Sequence, residues 1–104
     1  MSSRRDYVAV STFEVRNELD DAVDAAFLQR PHLVDDAPGF VSMEVLRGTD
    51  NPKLFWLITR WTDEDSYRAW HRGHTYKESH VGIPKGLKLV PKSAVVHTFH
   101  KVCE

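Results

Sequence analysis

Apolar and polar residues alternate from Tyr7 to Val15, with Tyr7, Ala9, Ser11 and Phe13 on one face and Val8, Val10 and Thr12 on the other. A period of two in a run rich in β-branched and aromatic residues predicts a strand. From Asn17 the period lengthens. Leu19, Val23, Ala26 and Phe27 are spaced to line one side of a helix, and Glu18, Asp20, Asp21 and Asp24 load its early turns with negative charge, as the helix dipole favours. Pro31 lacks an amide proton and should interrupt this helix or end its first part. The acidic run reads most simply as a solvated helix face.

Asp35, Asp36, Pro38 and Gly39 form a turn cluster, and Phe40 to Arg47 follows as a second strand with Val41, Met43 and Val45 on one face. Gly48 to Pro52 makes a hairpin connection into a third strand, Leu54 to Trp61, apolar on both faces for most of its length and so expected at the centre of a sheet. Thr62, with Asp65 three residues on, has the spacing of a variant capping box and predicts a second helix starting at Asp63. That helix carries Tyr67, Trp70 and His74 at helical spacing, with Gly73 loosening it. Leu87 to Val90 reads as a short extended piece, and Ala94 to Val102 as the last strand, with His97 and His100 on opposite faces.

Strand, helix, strand, strand, helix, strand is the split pattern of a ferredoxin-like α+β domain, a four-stranded antiparallel sheet with both helices on one face. A chain of 104 residues suits one domain spanning 1–104. The uncovered sheet face must be apolar too, since Phe55, Leu57 and Val41 or their neighbours have to point that way. A second copy of the same sheet is the simplest cover, which predicts a two-fold homodimer.

Composition narrows the function. Fourteen Lys and Arg against fifteen Asp and Glu leave no concentrated cationic surface, which argues against a nucleic-acid partner. No run of about 18 apolar residues occurs, and no apolar stretch follows the basic N-terminus, so neither a membrane span nor a signal peptide is expected. Cys103 is the only cysteine, which excludes an intrachain disulfide and fits a reducing, cytoplasmic setting. There is no glycine-rich phosphate loop, and hence no visible flavin or nicotinamide site.

The densest chemistry lies in Trp61 to His80, which holds two tryptophans, three histidines and a glycine break in one helical excursion. Trp56 and Trp61 are out of phase on one strand and read as structural. His71 and His74, at i and i+3, lack a nearby carboxylate or cysteine and make an incomplete metal site. No Ser-His-Asp or Cys-His arrangement has sequence support.

Short pieces along nearly the whole chain resemble one family. They are Pro38-Gly39-Phe40 leading into the second strand, Val45-Leu46-Arg47, the Trp61-Thr62-Asp63 junction, the Tyr67-Arg68-Ala69-Trp70 helix and the His74 to His80 segment. In this order they are similar to the antibiotic biosynthesis monooxygenase domain family, small dimeric α/β barrels of ferredoxin-like type. One branch of it degrades haem, and the resemblance matches its helical tryptophan to Trp70 and its iron-ligating histidine, about ten residues later, to His80. It implies haem as both cofactor and substrate, lying between the second helix and the sheet, with electrons from an external reductase. Tyr67 and His74 join Trp70 and His80 as expected binding residues. That branch has an asparagine on the first strand where Ser11 stands here. Serine has a shorter side chain and a single donor hydrogen, so it would not hold a distal oxygen in the same way. That substitution favours two other readings. One is a cofactor-independent oxygenase of polycyclic aromatic substrates, using Tyr67, Trp70, His74 and Tyr76 for binding or proton transfer. The other is a non-catalytic small-ligand module.

Overall fold

A computed structural model describes residues 6–30, 33–73 and 84–104. The expected order is present: β1 (Tyr7–Glu14), α1 (Asp20–Leu28), a 3₁₀ turn (Leu33–Asp36), β2 (Phe40–Arg47), β3 (Leu54–Trp61), α2 (Glu64–Arg72) and β4 (Val95–His100). The sheet is antiparallel with strand order β2-β3-β1-β4, which puts the doubly apolar β3 and the N-terminal β1 in the middle. The extended piece near Leu87 also forms. Leu89 bridges Val15, and the amides of Arg16 and Val90 donate to the carbonyls of Lys88 and Glu14.

Alternation decides what each strand buries. Tyr7 and Ala9 of β1 pack with Trp61, Val34 and Tyr67 in one core cluster, joined at its margin by Phe40, Met43 and Trp70. Val15, Val23 and Phe55 form a second, with Phe13, Phe27 and Leu57 against it. The first cluster is roofed by α2 and the second by α1, so both helices lie on one sheet face. Phe55 and Leu57 therefore point to the helices, and it is their neighbours, such as Trp56, that face away.

Two local expectations are corrected. Val41 does not share a face with Met43 and Val45, because the β2–β3 register shifts between Phe40 and Ser42. This bulge brings Phe40 into phase with Met43 in the core and leaves Val41 exposed. The cap of α2 is Asp63 rather than Thr62. Asp63 is extended and its carboxylate accepts the Ser66 amide proton at 2.8 Å, while the Thr62 hydroxyl donates to the same carboxylate at 2.9 Å. Helix α1 ends at Leu28, ahead of Pro31, which lies outside the described residues.

Gly39 shows why the Pro38-Gly39-Phe40 turn has the composition it does. Its φ is +82°, its carbonyl accepts the Thr62 amide proton at 2.8 Å, and a Cβ there would overlap the Ser66 side chain at the start of α2. Gly39→Ala should lose at least the ~1–2 kcal/mol of left-handed strain, read as a lower urea midpoint at unchanged slope. Phe55→Ala, which empties the floor of the second cluster, should cost about 3–5 kcal/mol. An unchanged midpoint for either variant contradicts this packing.

Candidate functional site

Helix α2 carries the aromatic residues singled out by the sequence. Its Asp63 cap and a Glu64–Arg68 pair at 2.6 Å fix its first turns, and Tyr67 and Trp70, one turn apart, face the sheet. Trp70 stacks obliquely on the fully buried Trp61 with ring centres 5.5 Å apart, and Tyr67 meets Trp61 at 5.8 Å and Tyr7 at 5.7 Å. These rings fill the space directly beneath α2.

A hollow among the described residues lies beside α1. It has a volume of about 270 Å³ and opens to solvent between α1 and the β2–β3 pair. Phe27, Leu28, Met43, Val45 and Phe55 give it apolar walls. Arg30, Arg47 and Asp24 add two positive and one negative formal charges to its lining. Arg30 reaches Asp35 at 3.3 Å through both terminal nitrogens. Arg47 is far more constrained. It binds Asp20 at 2.7 Å, Asp21 and Asp24 at 3.0 Å and the Pro52 carbonyl at 2.6 Å, with its guanidinium 5.4 Å from the Phe55 ring centre.

The acidic start of α1 is therefore not simply a solvated face. Asp21 is 91% exposed, but Asp20 is largely shielded and takes Lys53 at 3.1 Å as well as Arg47. Lys53 also donates to the Asn17 carbonyl at 2.6 Å. Leu19, at the N-cap position, supplies no side-chain acceptor, so these two cations tie the first turn to the β2–β3 hairpin. The hydrogen bond from Lys53 holds the Asp20 carboxyl below its ordinary range, and the charges of Lys53 and Arg47 act in the same direction, against partial desolvation. The hydrogen bond to Asp21, followed by that to Asp24, raises Arg47 further, so it stays charged. Arg47 was visible in sequence only as a strand-end residue. The acidic cluster 23 to 27 residues earlier was the one signal that it had partners.

Ser11 belongs to the helix-covered face by alternation, in the row Val96–Ser11–Leu57–Val45. Val45 is a wall of the hollow, so Ser11 stands two strands, ~10 Å, across the sheet from it. Tyr67 and Trp70 are brought together; His74, Tyr76 and His80 lie outside the described residues. His97 and His100 fall on opposite faces as expected, His100 near Glu64 at 3.8 Å and edge-on to Tyr7. Among the described residues no three His, Cys, Asp or Glu side chains gather as a metal site, and no helix is long and apolar enough to cross a membrane.

A four-stranded antiparallel sheet with both helices on one face defines the ferredoxin-like α+β class. The profile of the antibiotic biosynthesis monooxygenase family matches residues 6–81, and the chain belongs to that family. A heme oxygenase (mycobilin-producing) of Mycobacterium tuberculosis is 26% identical over 66 residues, 64% of this chain and 63% of that protein. The chain thus matches less than two thirds of that relative's length. In structure, the heme-degrader MhuD of Mycobacterium tuberculosis, solved with two hemes in its active site, superposes with a TM-score of 0.75 at 22% identity, covering 94% of this chain and 97% of MhuD. A conserved protein of Methanosarcina mazei Go1 gives 0.74 at 16% identity, with 94% of each chain covered. At these identities the structural likeness establishes the fold.

The tether at α1 predicts a defined pH dependence. A carboxyl whose folded-state pKa is depressed contributes stability that is fully present above its unfolded value of about 3.9 and is lost as pH falls through the folded value. Asp20→Asn should lower Tm by several degrees at neutral pH, and the gap to wild type should shrink progressively below about pH 4. A gap that is the same at neutral and strongly acid pH contradicts the assignment.

Proposed function

We propose that this monooxygenase-family chain is a haem-degrading oxygenase that works as a cytoplasmic homodimer. The observation that carries the reading is the hollow beside α1. Haem is a flat apolar ring with two carboxylate tails, and it needs apolar walls, a cation near its rim and an imidazole for its iron. Phe27, Met43, Val45 and Phe55 supply walls of that kind, and Arg30, held by one carboxylate, has a guanidinium that can turn to a propionate. The apolar walls and this cation suit the ring and its carboxylate tails, and the imidazole is proposed to come from His80. The match to a heme oxygenase supports the same reading.

Bound haem would supply the iron at which oxygen is activated, with electrons from an external reductase. The chain's own residues do the rest. His80, ten residues after Trp70, is the proposed iron ligand as a neutral imidazole. Trp70 and Tyr67, braced by Trp61, form a rigid aromatic shoulder that sets how far a macrocycle can slide toward α2. His74 is proposed as a further binding residue. Ser11 offers one hydroxyl hydrogen from the sheet floor, a weaker hold on a distal ligand than a side-chain amide. That last residue favours a second reading, a cofactor-independent oxygenase of polycyclic aromatics, in which Tyr67, Trp70, His74 and Tyr76 bind the substrate or move its proton.

Hemin titrated into the purified protein should give a Soret band saturating at one equivalent per chain. His80→Ala should abolish that band, and ascorbate or a reductase under air should consume it. Absence of binding removes the haem reading. Binding without consumption reduces it to storage.

A further inference from the structure

Met43 sits at the seam between the packed layer under α2 and the hollow beside α1. The bulge between Phe40 and Ser42 sets its phase, so that from β2 it leans on the first core cluster and also lines the hollow. It is only partly buried, and the hollow is open to solvent. Its thioether is the one sulfur in the lining, where Phe27, Leu28, Val45 and Phe55 supply walls of carbon. The other sulfurs of the chain are Met1 and the exposed Cys103.

A methionine side chain fills irregular gaps because it is unbranched and polarisable, yet its sulfur lone pairs stay open to electrophilic oxygen. Leucine, of nearly the same volume, would serve the packing alone. The position therefore joins a reactive sulfur to a wall that a flat ligand in the hollow must touch.

We propose that Met43 is an oxidation site by which hydrogen peroxide shuts the hollow to its ligand. An oxygenase that releases reduced oxygen before the substrate is attacked sets peroxide free, and here that happens beside this sulfur. A sulfur lone pair attacks one peroxide oxygen, and the S–O bond forms as the O–O bond breaks. The departing hydroxide takes the proton of the new S–OH group, which leaves the sulfoxide and one water. Sulfur is oxidised by two electrons and the peroxide is reduced. The sulfoxide is polar where the thioether was apolar, so a ring seated against it strips water from an oxygen that it cannot satisfy. The same oxygen offers Arg30, in the same lining, an acceptor that competes with a ligand carboxylate. Closure rests on the hollow being the haem site proposed above, whereas oxidation of the sulfur does not.

The test treats the full chain with dilute hydrogen peroxide, follows Met43 by peptide mass spectrometry, and measures binding of gallium protoporphyrin before and after. Met43 should gain one oxygen, and saturating porphyrin should slow that gain at least ~5-fold by covering the sulfur. The oxidised chain should bind the porphyrin about 10-fold more weakly, and methionine sulfoxide reductases A and B together should reverse the loss. Met43→Leu should keep its own starting affinity through peroxide treatment, and Cys103→Ser should respond as wild type does. A Met43 peptide that gains no oxygen, or gains it equally fast with porphyrin bound, overturns the site. Undiminished affinity after oxidation, or an equal loss in Met43→Leu, overturns the closure. Porphyrin that fails to bind the untreated chain overturns the haem reading and the closure together, while the mass gain still decides the oxidation.

Discussion

Strand β3 is apolar on both sides, and two nine-residue helices can cover only one of them. Phe55, Leu57, Thr59 and Trp61 point into the helix layer, and Trp61 and Phe55 are almost wholly buried there. The residues between them, Trp56 and Ile58 above all, are left on the open side. This one constraint organises the molecule. It fixes β3 beside β1 in the middle of the sheet, splits the core into a cluster under each helix, and leaves a second face on which Leu46, Trp56, Val95 and Phe99 are exposed.

The candidate site follows from how the two helices share their face. Helix α2 sets Tyr67 edge-on and Trp70 obliquely against Trp61. Helix α1 is held at its acidic end by Arg47 and Lys53, so its last turns, carrying Phe27 and Leu28, stand beside the β2 edge and leave the hollow open. The tether and the hollow therefore share residues. Arg47 and Asp24 both line the hollow and belong to the ionic cluster, which couples the position of α1 to the width of the opening.

Much of the fold was legible because alternation and helical spacing are local signals. Element order, the central place of β3, the opposite faces of His97 and His100 and the extended piece near Leu89 all followed from them. The phase of Val41 was not legible, since a bulge inserts one residue without any mark in the composition around it. The α2 cap was misplaced by one position because Thr62 and Asp63 are both good cap residues and only geometry selects between them. The role of Asp20 and Asp24 was hidden for a different reason: their partner, Arg47, is more than twenty residues away, and long-range ion pairs leave no periodic trace. For the site, sequence identified the aromatic face of α2 but not the hollow beside α1, whose walls come from three elements that are separate along the chain.

The account stands on that hollow being where a flat ligand settles. Nitrogen-15 correlation spectra of the labelled protein, recorded while diamagnetic gallium protoporphyrin is added, test it most directly. The predicted result is chemical-shift change concentrated at Phe27, Arg30, Met43 and Val45, with Val8, Val95 and Phe99 of the opposite sheet face left in place. Changes confined to that opposite face, or none at saturating porphyrin, would contradict it.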